Sequence, residues 1–220
     1  MSRISFANRR PGRQMSGMIS RRFLLLAAAL LPSAARAAKS SAADRYDIAR
    51  VENYLNGLRT LKAHFIQTTE DGQISEGTAW LQRPGKMRFQ YKPPAPFLLV
   101  ASHGVLTFHD SSLDQTSKIP LNRTPLGILL ADHVSLTGAV TVTDIQRLPG
   151  QLQMTMVRTE SPGDGSLTLI FADTPLALKQ WTVVDAQRRV THVTLSDVQL
   201  GGSFDPQLFE QVTTPAANRP

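Results

Sequence analysis

Strict alternation of apolar and polar residues runs through most of the chain and limits what it can fold into. Between Lys86 and Tyr91 every second residue is apolar, so an extended segment has one apolar face and one polar face. Short turns containing Pro-Gly, Asp-Gly or Pro-Pro separate many such segments. The pattern predicts about ten antiparallel strands in one large sheet. Apolar stripes on one face recur as Met87/Phe89/Tyr91, Leu152/Met154/Met156, Leu167/Leu169/Phe171 and Val193/Leu195.

Two segments depart from this period and predict helices. From Asp44 to Leu61, apolar residues recur at steps of three and four, which is typical of one face of an amphipathic helix. The second helix is short, about two turns within Arg123–His133, with Thr124 as its N-cap and Pro125 at its first position. The apolar residues that then share one side are Leu126, Leu129 and Leu130.

Two helical pieces are too few to cover both faces of so large a sheet. We therefore expect a mainly β fold in which the sheet curls and the helices cover its concave side. The apolar stripes then form one continuous inner wall. Periodicity alone favours a simpler alternative, in which this wall is the core of a β-sandwich or a closed barrel.

The first 37 residues predict a cleaved export signal peptide. They hold seven arginines and no acidic residue, and their apolar run from Phe23 to Leu31 is too short to span a bilayer. A small-x-small pattern at Ala35 to Ala37 indicates the cleavage site. The pair Arg21 and Arg22 also resembles a twin-arginine signal, so the secretory and twin-arginine routes both stay open.

Removal of that segment changes the charge and leaves one domain, residues 38–220. Those residues carry 17 basic and 17 acidic side chains, so the basic isoelectric point gives no support to a nucleic-acid partner. A domain of 183 residues can bury a substantial core. The chain has no cysteine, which excludes disulfides, thiolate metal sites and a lipid-anchored lipoprotein. We expect a soluble product beyond the inner membrane.

Sequence patterns of catalysis and metal binding do not occur in the chain. None of the five histidines has the spacing of metal ligands on a helix, and there is no Gly-x-Ser-x-Gly elbow or glycine-rich phosphate loop. We therefore expect no catalytic residue, no metal and no cofactor. A lipid hydrolase stays open only as an unspecific alternative.

Five longer stretches carry more specific information: SEGTAWLQRPGKMRFQYKPP, LLVASHGVLTFHD, TPLGILLAD, LALKQWTVVDAQRRVTHVTLSDV and FDPQLFE. In this order and spacing they resemble the periplasmic outer-membrane lipoprotein carrier family, LolA. The resemblance runs from roughly Ile48 to Val212. It implies an unclosed half β-barrel of about eleven antiparallel strands, with helices that form a lid over the concave face.

The resemblance also implies a function. A protein of this family is expected to be a periplasmic carrier without catalysis. It would bind the acyl chains of lipoproteins released by an inner-membrane ABC-type complex and deliver them to an outer-membrane acceptor. We expect a monomer that binds acylated lipoproteins and no nucleic acid. Two alternatives besides the hydrolase stay open: a same-fold carrier of another lipid, such as a glycolipid or isoprenoid, and a lipoprotein-sensing regulator.

By the same resemblance, Arg83 is a latch that holds a lid, residues 124–131, closed through bonds to backbone carbonyls of the lid. Side chains alternate between the two faces of a strand, which puts Arg83 on the same face as Ala79 and Leu81. Its guanidinium would therefore enter an apolar hollow and need several hydrogen-bond acceptors. A surface arginine satisfied by solvent is the simpler alternative. The expected lid residues are Thr124, Pro125, Leu126, Leu129 and Leu130.

The expected lipid-binding cavity combines positions that match the family with others on the apolar stripes. Family members usually have larger aromatic residues where this chain has Met87 and Phe89. The methionines are flexible, polarizable fillers that suit varied acyl chains, although they are also ordinary core residues. The predicted cavity residues are Phe65, Leu81, Met87, Phe89, Tyr91, Met154, Met156 and Leu169.

Overall fold

The computed structural model describes residues 41–210, so the predicted signal peptide and the end of the chain lie outside the described residues. Helix α1 spans Ala42–Gly57. It begins at a capping box, in which Ser41 and Asp44 each accept, through a side-chain oxygen, from the other's backbone N–H at 3.0 Å. It ends before Leu61 because Gly57 is a weak helix former and the first strand begins at Thr60.

Strands make up most of the remaining described chain. A second α-helix, α2 (Leu126–Leu129), and three short 3-10 helices interrupt them: Leu121–Arg123, Pro162–Asp164 and Pro206–Phe209. The strands are β1 (Thr60–Thr69), β2 (Ile74–Gln82), β3 (Lys86–Tyr91), β4 (Phe97–Ser102), β5 (Val105–Asp110), β6 (Gln115–Pro120), β7 (Val140–Leu148), β8 (Gln151–Arg158), β9 (Gly165–Ala172), β10 (Ala177–Asp185) and β11 (Val190–Leu200).

The described strands form one antiparallel sheet in the order β6-β5-β4-β3-β2-β1-β11-β10-β9-β8-β7. Strands β6 and β7 follow each other in sequence but lie at opposite edges, so the sheet does not close between them. Their connection carries α2. The prediction of a mainly β, unclosed sheet of eleven antiparallel strands is confirmed, and the sandwich and closed-barrel alternatives are wrong.

Pairing registers bring the apolar stripes together on one face of the sheet. Phe65 lies between Leu195 and Gly77, and Leu169 lies opposite both Met154 and Trp181. A shift of one residue in a pair would turn its stripe to the other face, so burial of the stripes fixes the register. β-Bulges in β7, β10 and β11 add local twist and bend to the sheet.

The two α-helices pack against this inner face. Val51 and Leu55 of α1 are fully buried, as is Leu129 of α2, and all three belong to the same hydrophobic cluster as the strand residues. The prediction that helices cover the inner face is therefore confirmed.

Helix α2 is shorter than predicted, and its predicted cap is wrong. It spans one turn, with Pro125 rather than Thr124 at the N-cap position and no side-chain cap hydrogen bond. Thr124 has an extended backbone, and its hydroxyl donates to the Leu121 carbonyl at 2.8 Å. The Thr124 backbone N–H also donates to the Leu121 carbonyl, at 3.1 Å, so the threonine closes the preceding 3-10 turn.

Candidate functional site

Arg83 directly follows β2, and its side chain is buried beneath the two α-helices. The residue is 5% exposed. It continues the inner-face parity of Ala79 and Leu81, which are also buried. Its backbone N–H donates to the Arg59 carbonyl at 2.8 Å, which fixes the residue where β2 ends. Arg83 is therefore not a surface arginine.

The Arg83 guanidinium donates hydrogen bonds to backbone carbonyls of two separate segments. On the lid side, Nε and Nη2 both donate to the Ala131 carbonyl, at 2.8 and 2.6 Å, and Nη2 also lies 3.2 Å from the Asp132 carbonyl. On the other side, Nη1 donates to the Leu55 carbonyl and lies 3.4 Å from the Leu58 carbonyl. These carbonyls are freed by the ends of α2 and α1. One side chain therefore joins both helical covers.

Among residues 41–210, only neutral oxygens accept from this cation. The nearby Asp132 carboxylate lies 3.6 Å from the Arg59 guanidinium instead. Burial lowers the pKa of Arg83, the positive charge of Arg59 lowers it further, and Asp132 opposes both effects. An arginine nevertheless remains protonated in water at neutral pH. A buried cation with carbonyl partners is stable only while both segments stay in place.

The lid residues 124–131 pack their apolar side chains inward. Leu126, Leu129 and Leu130, which the sequence predicted to share one side of the helix, are buried, and Ile128 is buried with them. The Gly85 N–H donates to the Leu130 carbonyl at 2.9 Å, so the turn after β2 also holds the end of α2. Thr124 and Pro125 are buried at the start of the lid.

Helix α1 is a second cover of the inner face, as expected, but the sequence did not predict the contacts that hold it there. Asp47 accepts from Arg147 of β7 at 2.7 Å and from Arg50 at 3.0 Å, and Arg50 also pairs with Asp173 at 2.9 Å. Asn56 exchanges two hydrogen bonds with the Val134 backbone, both at 2.9 Å. These contacts anchor α1 to β7, to the β9–β10 turn and to the segment between α2 and β7. Strict alternation from the inner-face residues Val140 and Val142 would place Arg147 on the outer face, but the β-bulge between Val142 and Asp144 reverses that parity.

The predicted cavity residues all lie in one hydrophobic cluster, together with the lid leucines. Phe65 is its centre, with ring centroids 4.5 Å from Phe89 and 5.0 Å from Tyr91. The Phe89 ring also meets Trp181 at 5.9 Å. In this closed form, side chains of the covers occupy the hollow. That these residues bind lipid stays a prediction. The full set in the cluster is Phe65, Leu81, Met87, Phe89, Tyr91, Met154, Met156 and Leu169.

The apolar inner face continues beyond the covers toward the β6 edge. Strand pairing aligns Phe89 with Leu99 and then with Phe108, and it aligns Leu106 with Ile119. Burial declines along these rows: Phe89 is 3% exposed, Phe108 is 37% exposed and Ile119 is 47% exposed. The wall is therefore shielded at its centre and open to solvent near one edge.

One polar pair interrupts the apolar wall. The Tyr91 hydroxyl donates to Gln67 Oε1 at 2.8 Å, and the Tyr91 ring stacks edge-on against Phe65 and Phe97. Burial raises the pKa of Tyr91 to about 12, and the Gln67 hydrogen bond acts in the opposite direction. The phenol is therefore neutral under physiological conditions.

This raised pKa predicts a loss of stability at alkaline pH. Between pH values of about 10 and about 12 the unfolded tyrosine ionises while the folded one keeps its proton, so the free energy of unfolding falls as pH rises. We expect a loss on the order of 2 kcal/mol from this residue. Tyrosinate absorbance, compared between wild type and Tyr91→Phe, measures the shift. A difference spectrum that titrates near pH 10 would contradict it.

Neither metal-binding clusters nor long apolar helices occur in residues 41–210. No group of three or more His, Cys, Asp or Glu side chains in this range could hold a metal ion. No helix in it is long and apolar enough to cross a membrane.

Comparison with known proteins finds a matching family model and several proteins of similar sequence. The family model described as "Outer membrane lipoprotein carrier protein LolA" matches residues 56–212. An outer-membrane lipoprotein carrier protein of Methylococcus capsulatus is 29% identical over 180 residues, which cover 78% of this chain and 86% of the relative. One of Chromohalobacter salexigens is 28% identical, with 73% and 80% covered. A LolA superfamily crystal structure from Nitrosomonas europaea aligns with a TM-score of 0.42 and 8% identity, covering 74% of this chain and 97% of that one.

Proposed function

The chain belongs to the outer-membrane lipoprotein carrier family, LolA, and we propose that it carries acylated lipoproteins across the periplasm. The carrier takes the acyl chains from an inner-membrane ABC-type releasing complex and delivers them to an outer-membrane acceptor. It acts as a monomer, without catalysis and without a cofactor.

The observation that carries this proposal is the buried Arg83 within an apolar interior. Its bonds reach the carbonyls of Ala131 and Asp132 beyond α2 and those of Leu55 and Leu58 at the end of α1. A hydrogen bond to a charged group contributes about 1.5–3 kcal/mol. Together these bonds, which form the latch, strongly favour the closed form. They break when either cover, α1 or the lid, moves.

Transport of acyl chains through water needs such a device. Each buried methylene is worth about 0.8 kcal/mol, so three chains of roughly sixteen carbons would cost on the order of 30–40 kcal/mol if exposed. Extraction from a membrane at that cost requires an energised donor. The carrier has only to shield the chains in transit and then release them.

The wall and the lid explain how one protein both shields and releases the chains. In the closed form Leu126, Ile128 and Leu129 cover the inner wall. Acyl chains entering the hollow replace these side chains, so the wall stays covered while the latch is broken. Closure restores the latch and these apolar contacts together, which favours expulsion of the chains toward an acceptor. The exposed apolar rows at Phe108 and Ile119 offer a first contact for the chains.

Depletion of the protein in its own host tests this function. We expect a tagged lipoprotein of the outer membrane to accumulate, acylated, at the inner membrane, and the wild-type gene to restore its location. Fractionated membranes probed for the tag give the readout, with an inner-membrane lipoprotein as the control. Unchanged delivery to the outer membrane would contradict the proposal. A change in glycolipid or isoprenoid content with normal lipoprotein location would favour a carrier of another lipid.

A further inference from the structure

Another inward-facing arginine, Arg158, lines a cleft beside the lid and takes no part in the latch. Arg158 ends β8 and shares the face of Met154 and Met156, which are fully buried in the wall. Strand pairing places it opposite Val140 on β7. Unlike Arg83, it lacks a partner for its Nε, which is buried and makes no hydrogen bond within the described part of the chain.

The space beside Arg158 is a cleft of about 470 Å³ along the lid. No acidic side chain lines it, so the guanidinium has no counter-charge there. The cation lies close to the lid backbone: a Cβ added at Gly127 would stand 2.6 Å from Arg158 Nη2 and 2.6 Å from the Leu121 carbonyl oxygen. The residues that line the cleft are Gly104, Leu121, Asn122, Gly127, Leu130, Ala131 and Arg158.

A buried guanidinium nitrogen without an acceptor is costly, and a ligand oxygen would relieve that cost. Arg83 shows which acceptors suffice in this interior, since all of its partners are neutral carbonyl oxygens. The head of an acyl chain bears an oxygen of the same kind. Arg158 also stands at the end of an apolar stripe, so a chain held by its carbonyl there would continue over Met156 and Met154.

We propose that Arg158 and this cleft bind the ester or amide carbonyl oxygens at the head of the acyl chains. This assignment rests on the carrier function proposed above and adds the position of the ligand's head group to it. The wall supplies affinity for the hydrocarbon. Arg158 fixes where the hydrocarbon begins, so that the attached protein stays outside.

A pair of matched ligands tests the proposal on the full purified chain. The first is a diacyl lipopeptide with ester-linked chains, and the second is its dialkyl ether analogue, which has the same hydrocarbon and no ester carbonyls. We expect wild-type protein to bind the ester form about tenfold or more tightly, the value of one hydrogen bond to a charged donor. In Arg158→Met this preference should vanish, with affinity for the ether form unchanged.

The control variant is Arg123→Met, which removes an exposed arginine next to the lid. It should keep the full ester preference. Thermal unfolding provides a second readout: Arg158→Met should unfold at the same temperature as wild type or higher, because it removes an unpaired buried nitrogen.

Three outcomes would overturn the assignment. The first is equal binding of ester and ether ligands by wild type, and the second is an ester preference that survives in Arg158→Met. The third is a preference of wild-type protein for negative charge rather than for the ester carbonyl. It would be seen if an anionic ether lipid competed for binding as effectively as the ester lipopeptide. If neither the ester lipopeptide nor its ether analogue binds any variant, the carrier function itself is contradicted, and this assignment with it.

Discussion

Replacement of Arg83 with leucine is expected to preserve loading of lipoprotein and to slow its transfer to outer membranes more than tenfold. The change removes every bond between the side chain and the carbonyls of Ala131, Asp132, Leu55 and Leu58. Even one lost bond of about 1.5–3 kcal/mol shifts the closed population at least tenfold. The apolar wall is unchanged, so acyl chains still bind. Reclosure no longer expels them.

A transfer assay with loaded carrier and isolated outer membranes measures this effect. Arg59→Leu is the matched control, because Arg59 is an exposed neighbour that pairs with Asp132 and makes no bond of the latch. It should transfer at the wild-type rate. Arg83→Lys should transfer poorly, since a single ammonium cannot reach two segments with the planar geometry of a guanidinium. Normal transfer by Arg83→Leu would show that the arginine does not control release.

Leu169→Glu is expected to abolish uptake of acylated ligand, with at least a tenfold loss of affinity. Leu169 is fully buried at the centre of the wall, between Met154 and Trp181. A carboxylate there must lose its hydration when acyl chains cover it, and nothing on the wall would compensate for that loss. Titration of the purified variant with an acylated lipopeptide measures the affinity. Glutamate at Phe89, which is 3% exposed, should have the same effect.

Two controls separate a loss of binding from a loss of fold. Ile170→Glu places the same charge on the next residue of β9, on the outer face, and should bind normally. Acidification should also restore uptake by Leu169→Glu, because burial raises the pKa of the introduced carboxyl and the neutral form is compatible with the wall. Circular dichroism verifies that the strands persist. Unchanged uptake by Leu169→Glu at neutral pH would remove Leu169 from the lipid-binding surface.

Local geometry explains why the sequence predicts the wall and the direction of Arg83. Side chains alternate strictly along a strand, so parity alone assigns Phe65, Leu169 and Arg83 to one face. The number of helical pieces relative to strands then predicts that the sheet curls, whereas its open edge was implied only by the resemblance to the carrier family. None of this requires knowledge of distant contacts.

The remaining features depend on contacts between residues far apart in the chain. Nothing in the order of residues indicates that Leu55 and Leu58 of α1 share the arginine with the lid. Nor did it show that Thr124 closes a 3-10 turn instead of capping α2. Parity does place Arg158 inward, but the absence of a partner for its Nε emerges only when the lid, the β4–β5 turn and β8 meet.

Native mass spectrometry of the Arg83→Leu protein, purified from the host periplasm, tests the central claim most directly. If the hollow opens for acyl chains and the arginine is needed to expel them, the variant should be isolated as a trapped complex. That complex should contain one intact acylated lipoprotein for each carrier. Wild-type protein prepared in the same way should be mostly empty. An Arg83→Leu protein that is equally empty, or that carries a free lipid without a polypeptide, would contradict the account.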